Sequence, residues 1–162
     1  MKTPLSVTIA SEISAGLTGL TTADGYNFSW GVSPSSDPVM ASKWPYASLI
    51  ALGSETCEDD KNAAWQHVYS RSRNVEIKIQ SNSDIDELEP FDAAENYLEY
   101  AIDDVLRWVG SYRWATPAVI DISYNGSDIV IDPTGDITRN SHVIMKFTVS
   151  YTSVRDEPSY SS

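Results

Sequence analysis

Two histidines and one cysteine are the side chains best suited to nucleophilic or acid–base chemistry. His67 and His142 both lie in stretches with strand-like alternation, and no nucleophile elbow or other local triad signature surrounds either. Cys57 lies in the acidic run SETCEDD, where neighbouring negative charge disfavours the thiolate that a catalytic cysteine requires. We therefore predict that the chain has no catalytic residues and is not an enzyme.

Carboxylates form two clusters that could hold a hard cation such as Ca²⁺. Neither cluster follows the spacing of an EF-hand loop, because no glycine stands at the sixth position after Asp84-x-Asp86. No cysteine–histidine group has zinc-site spacing, and the acid pairs are too numerous to identify a glycosidase pair. We expect solvated acids, no metal site and no cofactor; the clusters are Glu55, Glu58, Asp59 and Asp60, and Asp84, Asp86, Glu87 and Glu89.

Five tryptophans could provide a stacking platform for sugars. Core or interface positions are the more common use of tryptophan, and Trp108 falls beside the apolar stripe of a predicted helix. A β-rich carbohydrate-binding module therefore remains an alternative. A surface groove exposing at least two of four tryptophans would favour it: Trp30, Trp44, Trp65 and Trp114.

The elements that would position these side chains begin with the closing run of the chain, 118–151. Strict alternation places Val143, Met145, Phe147, Val149 and Tyr151 on one face of a strand, and Ile144, Lys146, Thr148 and Ser150 on the other. Upstream, two short strand-like stretches flank Asn125-Gly126, which is a strong signal for a hairpin turn. The pattern predicts antiparallel pairing throughout this region.

Two helices are predicted. The first covers about residues 4–21, begins at a Thr3 cap followed by Pro4, and repeats apolar residues from Leu5 to Leu20 at helical spacing. The second covers about Pro90–Tyr112 and has one apolar stripe wide enough to pack on a sheet. That stripe consists of Phe91, Ala94, Leu98, Ala101, Ile102, Val105, Val109 and Tyr112.

The remaining stretches predict further strands and loops. Strands are expected at Tyr26–Val32, Tyr46–Leu52 and Trp65–Gln80, with the last forming part of a long hairpin arm in which Arg71 and Arg73 interrupt the apolar row. Glu55–Asn62 is expected to be an acidic loop, and residues 152–162 a disordered tail. The fold class is α+β: one domain over residues 1–162, with a mostly antiparallel sheet packed against two main helices.

Composition limits the partners. The 162 residues carry a formal charge of −12 and a pI near 4.3, which argues against specific nucleic-acid binding or an anionic membrane surface and suits a basic partner. No apolar run is long enough to span a membrane, and Met1–Pro4 does not begin a convincing signal peptide. A single cysteine fits a reducing cytoplasm.

The order of elements resembles the tail terminator proteins of tailed bacteriophages, also called tail completion or head–tail joining proteins. The resemblance covers 4–151 and rests on the capped first helix and on five segments. These are ADGYNFSWGV (23–32), PYASLIALGSE (45–55), VEIKIQ (75–80), PFDAAENYLEYAIDDVLRWV (90–109) and HVIMKFTVSY (142–151).

The resemblance implies a structural virion protein, assembled in the host cytoplasm, that forms a homo-oligomeric ring, typically a hexamer, on the head-proximal end of the tail. Such a ring stops polymerisation of the major tail-tube protein and offers a docking face to the head–tail connector protein, while DNA passes through it. Another neck, tail or baseplate component is an alternative. Candidate interface residues lie in the arm and two loops: His67, Tyr69, Arg71, Arg73, Trp44, Asp37, Glu58 and Asp59.

Overall fold

The computed structural model describes residues 3–32, 46–60, 68–80, 90–130 and 142–154. Within these residues two α-helices accompany an antiparallel sheet of four long strands, which confirms the predicted α+β class. The helices and strands are α1 (Leu5–Thr18), β1 (Gly31–Val32), β2 (Tyr46–Asp60), β3 (Val68–Gln80), α2 (Pro90–Ser111), β4 (Val119–Val130) and β5 (His142–Val154).

The sheet has the order β1-β2-β3-β5-β4. Only the two-residue β1 is parallel to its neighbour, β2, and every other pairing is antiparallel. β3 pairs with β5 along its whole length, from Val68 opposite Val154 to Gln80 opposite His142. β5 therefore extends beyond Tyr151, so the predicted tail was wrong at Thr152–Val154. The projecting arm stays a prediction, because residues 61–67 between β2 and β3 lie outside the described residues.

One face of the sheet, which we call the inner face, is buried against the helices. The alternating row predicted for β5 lies there, from Val143 to Tyr151, and is almost completely inaccessible to solvent. Val75, Ile77 and Ile79 of β3 continue the same layer. The opposite row of β5 is only half-buried, as alternation predicts, and belongs to what we call the outer face.

A polar ladder crosses the outer face from β4 to β2. The side-chain amide of Asn125 donates to the Thr148 hydroxyl at 2.7 Å, and that hydroxyl donates to Asn74 Oδ1 at 3.3 Å. Asn74 in turn donates to the hydroxyl of Ser54 at 3.0 Å. Four neighbouring strands are thus connected by side chains as well as by backbone hydrogen bonds.

α1 is slightly shorter than predicted, and it begins after Pro4 rather than at it. The Pro4 carbonyl accepts from the amides of Val7 and Thr8 at 3.0 and 3.1 Å, so Pro4 itself is the capping residue. The helix buries four apolar residues spaced four apart, as its sequence predicts: Leu5, Ile9, Ile13 and Leu17.

α2 follows the predicted stripe closely. Leu98, Ala101, Ile102 and Val105 are buried, and Trp108 is buried beside them. α1 and α2 meet at Gly16, where a Cβ atom would lie only 2.1 Å from Cζ2 of Trp108. A glycine is required there because the indole occupies the space of any side chain.

The prediction of a hairpin turn at Asn125-Gly126 was wrong. β4 runs continuously through both residues and pairs with β5 on either side of a bulge between Tyr124 and Gly126. Gly126 does adopt a positive φ of 112°, but it serves the bulge rather than a two-residue turn. Turn chemistry and bulge chemistry both favour glycine, so the dipeptide alone does not separate them.

Two further predictions require correction. Glu55–Asp60 is the second half of β2 rather than a loop, and it pairs with Val68–Arg73 of β3. Tyr26–Val32 is a strand only at Gly31–Val32, because the backbone amides of Asn27 and Phe28 donate to a side chain of α2 instead of to a neighbouring strand.

Candidate interface at the end of the β2–β3 ladder

The structure brings five of the eight predicted interface residues into one ladder. Asp59 lies opposite Tyr69 and Glu58 opposite Ser70, while Arg71 and Arg73 follow on β3. The other three, Asp37, Trp44 and His67, lie outside the described residues. We call the paired segments Glu55–Asp60 and Val68–Arg73 the distal ladder.

Glu55 is the centre of the distal ladder, although the sequence suggested only a solvated acid. Its carboxylate forms an ion pair with Nε of Arg71 and a longer one, 3.4 Å, with a terminal nitrogen of Arg73. The hydroxyl of Tyr151 donates to the same carboxylate at 3.1 Å, and the Arg71 guanidinium lies 5.2 Å from the centre of the Tyr151 ring. Three strands therefore meet at one half-buried carboxylate.

Charged side chains of both signs meet in the distal ladder. The hydrogen bond from Arg71 lowers the pKa of Glu55 below its ordinary value, and the opposing effect of burial is smaller. Burial raises the pKa of Tyr151, so its phenol stays protonated and remains a donor. Two guanidinium groups face the Glu55 carboxylate, while Glu58, Asp59 and Asp60 follow it on β2, so the distal ladder carries charges of both signs.

Glu55 is held within the fold, because it accepts hydrogen bonds or ion pairs from three side chains. Cys57 is exposed and lies opposite Arg71. His142 is a half-buried strand residue opposite Gln80, as expected, and Trp30 is fully buried and cannot stack on a sugar. Among the described residues, no three metal-binding side chains come together.

Replacing Glu55 by glutamine is expected to reduce the free energy of unfolding by about 1–2 kcal/mol at pH 7, because two charge-assisted contacts are lost at a partly exposed site. Since the folded-state pKa lies below the ordinary value of 4.5, this contribution is complete above about pH 4.5. It disappears as the pH falls through the lower, folded-state pKa. Urea unfolding of both proteins at a series of pH values measures the difference.

The matched control is Glu99→Gln on the exposed side of α2, which removes the same charge. Its free energy of unfolding should stay within about 0.5 kcal/mol of that of the unmodified protein at every pH. A difference for Glu55→Gln that persists undiminished at low pH would mean that the ion pairs are not its source.

Two carboxylates that the sequence did not single out organise the rest of the molecule. Asp104 of α2 is completely buried, and it accepts from the amides of Asn27 and Phe28 at 2.8 and 3.0 Å and from the indole nitrogen of Trp30 at 3.0 Å. It therefore holds the chain between α1 and β1 in place. A signal was present: Asp104 lies three residues after Ala101 and four before Trp108, on the buried side of the helix.

The second carboxylate is Glu12 of α1, which binds the connection between α2 and β4. It accepts from the Tyr112 hydroxyl at 2.8 Å, from the Thr116 hydroxyl, and from the amides of Ala115 and Thr116. Burial raises the pKa of Glu12, but these hydrogen bonds together outweigh it and lower the pKa below its ordinary value. Both carboxylates connect segments that are distant in the sequence.

Comparison with known proteins gives no match to a family model and no match to a curated protein. No helix in the described part of the chain is long and apolar enough to cross a membrane.

Proposed function

We propose that this protein is a structural component of a phage virion that caps the head-proximal end of the tail tube. The observation that carries the proposal is the order of elements. The chain begins with a helix, continues with a pair of long antiparallel strands and an acidic helix, and ends with a second pair of strands. This is the order that the resemblance to tail terminators implies. The α+β sheet with helices on its inner face is the type of fold expected for that family.

The proposed mechanism is assembly rather than chemistry. Copies of the chain join head to tail, so that one surface of a subunit binds a different surface of the next, and a closed ring results. The ring stops addition of the tube protein and presents a docking face to the connector. Each copy contributes a net charge of −12, so a lumen lined by acids would repel DNA and let it pass. Neutral or basic residues on the lumen wall would contradict this last point.

The distal ladder is the surface that we assign to the contact between subunits. It combines a half-exposed aromatic residue, Tyr69, with the guanidinium groups of Arg71 and Arg73, and these residue types are enriched at protein interfaces. Its two guanidinium groups would meet acidic side chains of the neighbouring copy, which has the same net charge of −12.

The test is the solution mass of the purified protein, alone and with the major tail-tube protein of its virus. We expect a ring-sized species, or a complex that stops tube growth when the protein is present at far fewer copies than the tube subunits. A Tyr69→Ala variant should weaken capping, whereas Tyr100→Ala, which removes an exposed tyrosine of α2, should not.

A persistent monomer that leaves the tube length unchanged would refute the proposal. Binding along the tube without arrest of growth would instead indicate another neck, tail or baseplate component.

A further inference from the structure

Among the described residues, β4 is the outermost long strand of the sheet. β5 lies on one side of it, and among the described residues no strand lies on the other. Three large apolar side chains of β4 are exposed: Ile120 at 65%, Tyr124 at 39% and Val130 at 45%. A long edge strand with exposed apolar residues is a template for pairing with another chain.

The two faces of this edge differ in chemistry. On the inner face β4 presents Ile122, Tyr124 and Ile129, which lie opposite buried residues of β5. On the outer face it presents Asp121, Ser123, Asp128 and, at the end of the strand, Val130. β4 has no lysine or arginine, and Asp128 is still 64% exposed although Lys146 pairs with it at 2.5 Å. The inner row is therefore mostly apolar, and the outer row carries both aspartates of the strand.

We propose that the β4 edge binds an extended segment of a different protein as an added strand, and that this segment alternates apolar residues with lysine or arginine. Successive side chains of a strand point to opposite faces, so one row of the added strand would lie beside Ile122, Tyr124 and Ile129. The other row would lie beside Asp121 and Asp128, where opposite charges stabilise cross-strand pairs. Backbone hydrogen bonds along the edge would supply affinity without regard to sequence.

A second copy of this chain fits the edge less well. Its own β4 would bring two more aspartates and no cation to the acidic row, and like charges across a strand pair are destabilising. Irregularities at Ile120 and Asn125 interrupt the edge, which limits the affinity for any added strand. Strand binding at β4 does not require a role in the tail, so this proposal and the proposed function can fail separately.

The probe is a synthetic twelve-residue peptide that alternates valine and lysine and matches β4 in length. Two control peptides accompany it: one alternates valine and glutamate, and one has the first composition arranged in blocks. Backbone amide NMR shifts of the full chain report binding. We expect shifts confined to β4 and β5 with the first peptide, and at least tenfold weaker binding of both controls. Methylation of the backbone nitrogens of the valine–lysine peptide that face the β4 edge should abolish binding, because these nitrogens then cannot donate hydrogen bonds.

Charge reversal tests whether the acidic row selects the partner. The double variant Asp121→Lys, Asp128→Lys should lower the affinity for the lysine peptide by about tenfold and allow the glutamate peptide to bind. The matched control, Glu99→Lys with Asp103→Lys, makes the same change of net charge on exposed residues of α2 and should leave the affinity unchanged. In each variant, unchanged amide shifts outside the substituted helix or strand show that the protein is folded.

Three results would overturn the proposal. The first is equal binding of the lysine and glutamate peptides. The second is absence of any shift in β4 at millimolar peptide. The third is protection of β4 amides that rises with protein concentration in the absence of peptide, which would identify a second copy as the occupant.

Discussion

Replacing Asp104 by alanine is expected to lower the free energy of unfolding by about 3–5 kcal/mol. The substitution removes the acceptor of the buried indole nitrogen of Trp30 and of the part-buried backbone amides of Asn27 and Phe28. A buried donor left unpaired costs about 1–3 kcal/mol, and the two lost backbone hydrogen bonds add to this. Urea unfolding followed by tryptophan fluorescence measures the loss.

The control for this prediction is the preceding residue. Asp103 is exposed on the same helix, so Asp103→Ala removes the same charge and should change stability by no more than about 0.5 kcal/mol. Equal losses for the two variants would mean that helix electrostatics, rather than the three hydrogen bonds, explain the role of Asp104.

A second large loss, about 2–3 kcal/mol, is expected for Gly16→Ala. Alanine is normally the better helix former, but here its Cβ would lie 2.1 Å from Cζ2 of Trp108, and a buried indole has little room to move. α1 and α2 must then separate, or Trp108 must leave its rotamer. Thermal or urea unfolding measures the change.

Gly110→Ala is the matched control for Gly16→Ala. Gly110 lies near the end of α2, and a Cβ there meets no atom within 4 Å. This variant should be stabilised by up to about 1 kcal/mol, because glycine loses more backbone entropy in a helix than alanine does. A Gly16→Ala variant that is stabilised to the same extent would show that the two helices are not in close contact.

The sequence predicted the elements whose pattern is local and repeated. The alternation of β5 and the stripe of α2 were each long enough to identify the buried side, because one face of each element must face the core. Turn chemistry was less informative. Asn125-Gly126 satisfies the local requirements of a hairpin, but pairing with the long strand β5 on both sides of it decides that β4 continues.

Contacts between distant segments could not be predicted. Glu55 lies in an acidic run that is typical of a loop, and only Arg71 and Arg73 on the next strand make an ordered strand possible there. Asp104 was detectable as an acid on a buried helix side, but its partners lie more than seventy residues earlier in the chain. In the proposed interface, alternation correctly placed Arg71 and Arg73 on one face of β3. Their shared partner, Glu55, lies on another strand and could not be predicted from local sequence.

The order of strands also determines how the chain reaches this structure. β2 and β3 are consecutive strands, as are β4 and β5, but the seam between β3 and β5 joins positions such as Ile77 and Met145, with α2 and β4 between them in sequence. Folding slows as contacts become less local, because a longer loop must close first. We therefore infer that joining the two strand pairs along this seam limits the folding rate. Perturbing Ile77 or Met145 would then slow refolding, and refolding kinetics insensitive to the seam would contradict this.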